Sequence, residues 1–451
     1  MTALWWIRRD LRLQDNLTLQ AALETGPLLP VFILDPGLLR GIPTRRLAFL
    51  SNGLRALDAD LRQRGSYLVI RRGKPIDILR QLLSESGAQT IFAEEDFSPY
   101  ARQRDEAIAS RLPLKLIQGQ LFHHPLAIRK SDGKPYTVYT PFSKTWLNLL
   151  PEKLNPIPTP EVIPTIPGIR SDQLPEGPQS SLFPASESEA LNRLQAFLAG
   201  AVYAYGDNRN RLDLEGTSAL SPYLHFGMLG LRTAVHHART AISDAPNLDP
   251  RKSAQVWLSE LIWREFYIHI LYHFPHVRKG SFQSKYDQIR WRNDPGEFEA
   301  WKEGRTGIPV VDAAMRQLSA TGWMHNRARM IVASFLVKDL LIDWRWGERW
   351  FMQNLLDADL AANNGGWQWT AGTGTDAAPY FRVFNPVLQS KKFDPKGDYI
   401  RKWMPELAHL DPAAIHAPWE RNVKVDGYPD PIVDHPFARQ RALEAYRASR
   451  I

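Results

Sequence analysis

Three stretches of the chain carry side chains that could do chemistry together. Glu260, Trp263, Arg264 and Tyr267 recur at i, i+3, i+4 and i+7, which puts a carboxylate, a guanidinium and two aromatic rings on one helix face. Asn326, Arg329 and Met330 share a second face, with Arg327 turned from it. The third stretch, Asp357 to Trp369, sets two acids and two amides among alanines, then a glycine pair, then two tryptophans. Alanine and glycine let a flat ligand approach the backbone closely. Asn363 lies four residues after Asp359, so the two can share a face, and helix-end amides suit a polar ring edge or a phosphate. Each stretch also has a plainer reading. Glu260–Arg264 can be a surface ion pair worth a few tenths of a kcal/mol, Asn326 and Met330 can be core filler, and Asn363 to Gly366 can be the cap that ends a helix.

Other chemistries are missing from the sequence. It has no P-loop, no His-Glu-x-x-His and no nucleophile elbow. Gly372-Thr-Gly374-Thr-Asp-Ala377 imitates a dinucleotide fingerprint, but a tryptophan-rich helical stretch precedes it, where that motif needs a strand. With no cysteine, disulfides, thiolate catalysis, Fe–S clusters and Cys-type zinc sites are excluded, and no metal site is expected. The net charge of +8 permits a nucleic-acid or phosphate partner without requiring one. No apolar run approaches the about 18 residues of a membrane span. The patch Ala3–Ile7 is too short for a signal sequence, so a cytoplasmic protein is expected. Of the 15 tryptophans, 12 fall between Trp257 and Trp419.

At about 150 residues per domain, 451 residues suggest two or three domains. Apolar runs at Leu4–Ile7, Leu28–Leu34, Tyr67–Ile70, Thr90–Ala93 and Leu114–Ile117 read as strands buried on both faces. Amphipathic stretches alternate with them, notably Arg45–Arg64 and Pro75–Ser86, the latter with Pro75 in its first turn and Gly87 at its end. The alternation predicts an α/β domain with a Rossmann-like parallel sheet over 1–130. Residues 151–184 hold 9 of the 34 prolines and no periodicity, so 131–187 reads as a long extended linker. From 188 to 451 the texture is all-α. Helices are predicted over Ser188–Ala199, Leu231–Ile242, Lys252–Phe274, Pro309–Ala320, Trp323–Leu341 and Glu348–Asn363.

Several long motifs, in order over essentially the whole chain, resemble the photolyase/cryptochrome family, and within it the prokaryotic cyclobutane pyrimidine dimer (CPD) photolyases. Trp5-Trp-Ile-Arg-Arg-Asp-Leu-Arg12 with Asp15-Asn16 resembles the N-terminal signature, and Glu215-Gly-Thr-Ser-Ala-Leu-Ser221-Pro-Tyr-Leu the flavin phosphate loop. Glu260 to Tyr267, Gly322 to Met330, Asp357 to Trp369 and Tyr380 to Pro386 resemble the flavin and lesion pocket. The resemblance implies a DNA-repair flavoprotein, a carbon–carbon lyase that uses blue or near-UV light. Excited reduced FAD would pass an electron to the dimer, the ring would open and the electron would return. Tyr205, Thr217, Ser218, Leu220 and Ser221 would hold the phosphates and ribityl chain, with Arg264 also at the cofactor. Arg329, paired with Asp357, would stabilise the anionic ring, Asp359 would meet its N3 edge, and Asn363 would face N5. A carboxylate at that last position would be repelled by an anionic flavin or would take up a proton, and plant cryptochromes tend to carry Asp there.

By the same resemblance, Glu260 would hydrogen-bond the dimer, Asn326 and Met330 would line the cavity, and Trp263 and Trp369 would stack on the lesion. Trp367, Trp344 and Trp291 match the family's electron chain to the surface, while Trp346 and Trp350 have no assigned part. Arg209, Arg327, Arg382 and Lys391 are candidates for DNA phosphates. A second, antenna chromophore in the N-terminal domain is implied. Relatives use a folate, 8-hydroxy-deazaflavin or FMN, and the sequence leaves the choice open. Arg40–Arg46 lacks the histidine expected of folate binders, and Glu94–Arg104, with Tyr100 and Arg102, could line a pocket or be an ordinary loop. The expected partner is damaged DNA with its dimer flipped out, and a monomer is expected. The alternatives are a cryptochrome-type photoreceptor, often with a C-terminal extension where this chain stops at Ile451, and a (6-4) photolyase. The last needs a proton donor, typically His, in the place of Asn326, whereas His325 lies about 100° away on a helix.

Overall fold

The computed structural model describes residues 2–449. Five strands, β1 (Ala3–Ile7), β2 (Leu28–Leu34), β3 (Val69–Arg72), β4 (Thr90–Glu94) and β5 (Leu114–Ile117), form one parallel sheet in the order β3-β2-β1-β4-β5. β1 and β2 are buried at every position, because helices cover both faces of such a sheet. The flanking helices are α1 (Leu17–Leu23), α2 (Thr44–Arg62), α3 (Pro75–Ser86) and α4 (Pro99–Ala109). α3 has Pro75 in its first turn and ends on Gly87 at φ 65°, the left-handed conformation glycine adopts freely. β3 starts two residues later than its apolar run. Leu68 N–H is taken by Asp58 Oδ1 at 2.8 Å and the Tyr67 hydroxyl by Ile166 O at 2.9 Å, so pairing with β2 begins at Val69.

Within 131–187, Tyr139–Asn148 forms a helix, α5. The proline-rich stretch that follows is extended and tied to the sheet's neighbourhood. Asp15 N–H donates to Ile157 O at 2.8 Å, Leu28 N–H to Pro164 O at 2.9 Å, and Asp172 N–H to Ile70 O at 2.8 Å. Proline lacks a donor but keeps its carbonyl, so such a segment can dock as an acceptor.

The remaining helices used below are α6 (Glu187–Leu198), α7 (Ser221–Phe226), α8 (Leu231–Asp244), α9 (Leu248–His273), α10 (Pro309–Thr321), α11 (Asn326–Ser334), α12 (Trp344–Asn354), α13 (Leu360–Ala371), α14 (Pro386–Phe393) and α15 (His435–Ala448). The chain forms two compact units. One holds the residues up to Tyr136, Thr140–Gly206 and Ser218–His273; the other holds Thr137–Tyr139, Asp207–Thr217 and the chain from Phe274 onward. Helices α6 to α9 therefore pack with the sheet. The N-terminal signature explains part of this. Arg9 Nε donates to His225 O at 2.9 Å, Leu11 N–H to Phe226 O at 3.2 Å, and Arg12 Nη1 to Gly227 O at 3.1 Å, so three successive carbonyls at the end of α7 are held by residues 9–12. Trp5 Nε1 donates to Asp10 at 3.1 Å and shapes that loop. Gly227 sits at φ 68°, and a Cβ there would fall on the carbonyl of Arg9.

Three helix expectations are corrected. α9 begins at Leu248, four residues before Lys252. The helix expected over Trp323–Leu341 begins at Asn326, because His325 caps it, and passes into a π-turn at Phe335–Asp339. Glu348–Asn363 is two helices, α12 and α13. Between them Leu355 turns extended, Leu356 N–H is drawn to Gly322 O at 2.8 Å, and Asp359 restarts the helix by accepting from Ala361 and Ala362 N–H. Apolar spacing runs through this break because the core lies on the same side of both helices. The core of the second unit includes Trp301, Met315, Leu336, Trp344, Phe351 and Trp367.

Candidate functional site

In the first unit, α9 is buried on most sides, but Glu260, Trp263, Arg264 and Tyr267 are only half-buried, so the expected face lies along the open side of the helix. The Trp263 ring packs 5.5 Å from Phe266, edge to face, and 5.6 Å from Tyr267. Arg264 reaches Gln120 O at 3.4 Å and Leu224 O at 3.5 Å. Tyr205 is buried edge-on to Phe197 at 5.8 Å. Leu220 is buried just before α7, Ser218 is half-buried and Ser221 exposed, after a turn in which Ala219 takes φ 49°. Thr217 belongs to the second unit.

Glu265 points to the other side of α9 and anchors it. It accepts from Trp146 Nε1 at 2.5 Å and from the backbone N–H of Phe122. Burial pushes its carboxyl from 4.5 up to about 7, against the pull of those hydrogen bonds. The folded state therefore holds this proton longer than the unfolded chain. The resulting stability is full below pH 4.5 and is lost as pH rises through about 7. Glu265→Gln removes that titration, so its melting temperature should fall less steeply than the parent's between pH 4.5 and 7. Equal slopes in a thermal-shift series would refute the assignment.

In the second unit, α11 places Asn326 Nδ2 3.9 Å from Met330 Sδ on one face. Arg329 donates to Asp357 Oδ2 at 2.8 Å and to Met324 O at 2.8 Å. The side chain of Asp357 is 3% exposed and that of Arg329 24%, so the cation is the partner turned outward. His325 accepts from Arg327 N–H through Nδ1, and its Nε2 is buried without a hydrogen bond. Burial and the neighbouring Arg327 and Arg329 depress its pKa to about 4, so the ring is a neutral cap and not the acid that (6-4) chemistry needs.

α13 runs straight through Asn363, Asn364, Gly365 and Gly366 and ends only at Gly372, φ 76°. The cap reading at Asn363–Gly366 is thus overturned. Gly372 and Gly374 belong to that helix end, where Thr373 and Gly374 N–H both bond Gln368 O, and not to a dinucleotide turn. Asp359, Ala362, Asn363, Gly366 and Trp369 make the half-buried side of α13, and a Cβ on Gly366 would meet nothing within 4 Å. Asn363 Nδ2 donates to Glu348 O at 3.0 Å, which fixes the amide and leaves its carbonyl oxygen and one N–H to offer a ligand. Asn364 bonds Glu348 Oε1 at 2.9 Å, Val277 O and Gln368, and is structural. A face of small residues, an outward guanidinium and an oriented amide oxygen fit a flat, anionic flavin ring.

Trp367 and Trp344 are buried and Trp291 is half-buried. Residues 291–293 are tied to the approach to α12 by Arg292 N–H to Leu341 O and Asp343 N–H to Asn293 Oδ1, both 2.8 Å. Trp344 opens α12, and Gly347, one turn on, lies flush against the Trp367 ring. The indole N–H groups of Trp344 and Trp367 are buried without an acceptor, which is uncommon in folded proteins. Trp346 packs edge-on to Phe298 at 5.1 Å, and Trp350 lies under Lys302 at 4.7 Å.

Arg209, Arg327 and Arg382 gather in the second unit. Burial, then repulsion from Arg209 and Arg382, lowers the Arg327 guanidinium to about 10. Arg327 is steadied by Asn210 Oδ1 at 2.6 Å and by the Phe393 ring at 4.4 Å. Like charges so held suit a polyanion. Lys391 is exposed, 3.8 Å from Glu420. In the sheet unit, Tyr100 donates to Asp35 at 2.5 Å, and the Arg102 guanidinium lies 4.1 Å over the Tyr272 ring, so both engage protein groups. Glu348, Asn210 and Gly347 have no signal in the sequence. Each acts on a residue of another element, and no local spacing marks them.

A family model described as DNA photolyase matches residues 3–161, and one described as the FAD binding domain of DNA photolyase matches 257–448. The deoxyribodipyrimidine photo-lyase of Synechococcus sp. is 42% identical, covering 98% of this chain and 95% of the relative. The crystal structure of a bacterial class III photolyase from Agrobacterium tumefaciens superposes with a TM-score of 0.93 at 39% identity, covering 99% of this chain and 97% of that one. An archaeal photolyase from Sulfolobus tokodaii, described with two FAD molecules, gives 0.84 at 32% identity, covering 99% and 100%. With full-length identity at this level and both domains matched, the chain belongs to the photolyase/cryptochrome family.

Proposed function

We propose that the protein is a deoxyribodipyrimidine photo-lyase, which binds FAD and uses light to open the cyclobutane ring of pyrimidine dimers in DNA. The observation that carries this reading is the open face of α13 beside the Arg329–Asp357 pair, with Asn363 oriented by Glu348. When bound and reduced, FAD supplies the light absorption and the transferable electron. The chain's residues do the rest. Tyr205, Thr217, Ser218, Leu220, Ser221 and Arg264 hold the phosphates and ribityl chain. Arg329 offsets the ring's negative charge, Asp357 fixes Arg329, and Asp359 accepts at the N3 edge. Asn363, fixed by Glu348 O, would face N5, where its carbonyl oxygen can accept a hydrogen bond and its remaining N–H can donate one. Glu260 hydrogen-bonds the flipped dimer, Asn326 and Met330 line its place, and Trp263 and Trp369 stack against it.

Trp367, Trp344 and Trp291 carry an electron inward to oxidised flavin. The buried N–H groups of the first two have no neighbour to take their proton, so positive charge formed there moves on rather than being neutralised in place. In this reading 1–130 is the antenna domain, 131–187 the connection and 188–451 the flavin and repair domain. A second chromophore sits in the first, and mass spectrometry of what the purified protein releases identifies it. No described helix is long and apolar enough to cross a membrane, and the protein acts as a cytoplasmic monomer on DNA. Illuminating reduced protein with dimer-containing DNA should restore thymines in proportion to light dose, and intact dimers after illumination would overturn the assignment.

Arg209, Arg327, Arg382 and Lys391 contact the DNA backbone. Binding to lesion DNA should weaken steeply with salt, and Arg327→Gln should lower the slope of log K against log salt by about 1. It should do so alike for DNAs of different sequence, since phosphates carry no base information. An unchanged slope would remove Arg327 from the interface.

A further inference from the structure

We propose that Gly347 is a positioning residue of the electron route. Its missing side chain sets how closely the Trp367 indole lies against α12, the helix that Trp344 opens. The inference rests on the reading of Trp367, Trp344 and Trp291 as that route. Gly347 sits in the body of α12 and is absent from the positive-φ positions, so its backbone does not call for glycine. Glycine inside a helix costs roughly 0.5–1 kcal/mol relative to alanine, so its presence needs another cause. The contacts supply it. A Cβ at 347 would lie 2.1 Å from Trp367 Cη2, 2.5 Å from Cζ3 and 2.6 Å from Cζ2, three atoms of the six-membered ring. Real Cβ atoms essentially never approach so near, and a rigid indole cannot bend aside.

Two further rings brace the indole. Phe351, one turn further along α12, meets it edge to face at 5.0 Å, and Trp301 does so at 6.2 Å from another element. Trp344, Gly347, Glu348 and Phe351 are all buried on α12. This seam sets the spacing of Trp367 from α12, and Glu348 O within it holds Asn363. Any side chain at 347 must part the Trp367 ring from α12 and so shift it relative to Trp344 on that helix.

The test compares Gly347→Ala with the parent and with Trp344→Phe, all loaded with FAD. Gly347→Ala should slow light-driven reduction of oxidised flavin by a larger factor than it slows repair by the chemically reduced variant. The repair rate falls only as far as the Glu348–Asn363 contact in the same seam is disturbed. A merely structural glycine would not separate these two readouts. Photoreduction at the parental rate in Gly347→Ala, with Trp344→Phe blocked, overturns the role of Gly347 and leaves the route standing. Equal loss of repair and photoreduction also overturns it. Normal photoreduction in Trp344→Phe removes the route, and this inference with it. Should Gly347→Ala fail to keep flavin, its thermal stability is compared in the Trp367 and Trp367→Phe backgrounds, since phenylalanine lacks the outer ring. A cost confined to the Trp367 background supports the proposal, and an equal cost in both overturns it.

Discussion

Replacing Trp344 by phenylalanine should stop light-driven reduction of the oxidised flavin and leave repair by pre-reduced protein nearly unchanged. The two reactions use different parts of the chain. Repair needs an electron only to pass from the reduced flavin to the lesion and back, and in the proposed reading the α13 face and Glu260 serve it. Reduction needs an electron from outside, and the route proposed for it is Trp291, Trp344 and Trp367. Trp344 is wholly shielded from solvent, so an external donor does not meet it directly. Phenylalanine keeps most of the packing but is far harder to oxidise than an indole. The measurement is flavin absorbance under blue light with an external donor, set beside dimer repair after chemical reduction. Normal photoreduction in the variant would remove the proposed chain.

Asn363→Asp should lower the repair rate by roughly 10- to 100-fold, the range expected when a hydrogen bond to a charged group worth about 1.5–3 kcal/mol is lost. The structure gives the reason. Asn363 Nδ2 donates to Glu348 O at 3.0 Å, and an ionised aspartate would set an oxygen against that carbonyl. It can turn away, carry its charge against an anionic flavin, or take up a proton and donate to Glu348 O. The first leaves Glu348 O without its donor, the second sets charge beside an anionic ring, and the third keeps a neutral acceptor only by holding a carboxyl protonated well above its usual range. The visible spectrum of the bound flavin should change along with the rate. An unchanged spectrum and an unchanged rate would place Asn363 away from N5.

Much of this was legible in the sequence, and the legible parts are local. The strands Leu28–Leu34 and Leu114–Ile117 and the helix Pro75–Ser86 lie where the apolar runs, Pro75 and Gly87 put them. The face of Glu260, Trp263, Arg264 and Tyr267 follows from 3.6 residues per turn, whatever the rest of the chain does. The family motifs were also readable, because they are runs of residue identity rather than geometry. Apolar spacing puts β3 two residues early and shows one helix where there are two, because it reports which side is buried and says nothing of a backbone that leaves and re-enters a helix.

The sequence by itself determined the elements and which residue types each could present, since backbone geometry relates positions three or four apart without outside help. Tertiary structure alone decided how those residues are held. Asn363 takes its orientation from a carbonyl 15 residues away, Arg327 its support from Asn210, 117 residues distant, and the turn at Leu356 its partner from Gly322. Gly347 acquires meaning only once Trp367 is laid against it. The physical reason is that a hydrogen bond or a ring contact is short-ranged in space and indifferent to distance along the chain, so spacing rules see only the contacts that helix and strand geometry close for themselves.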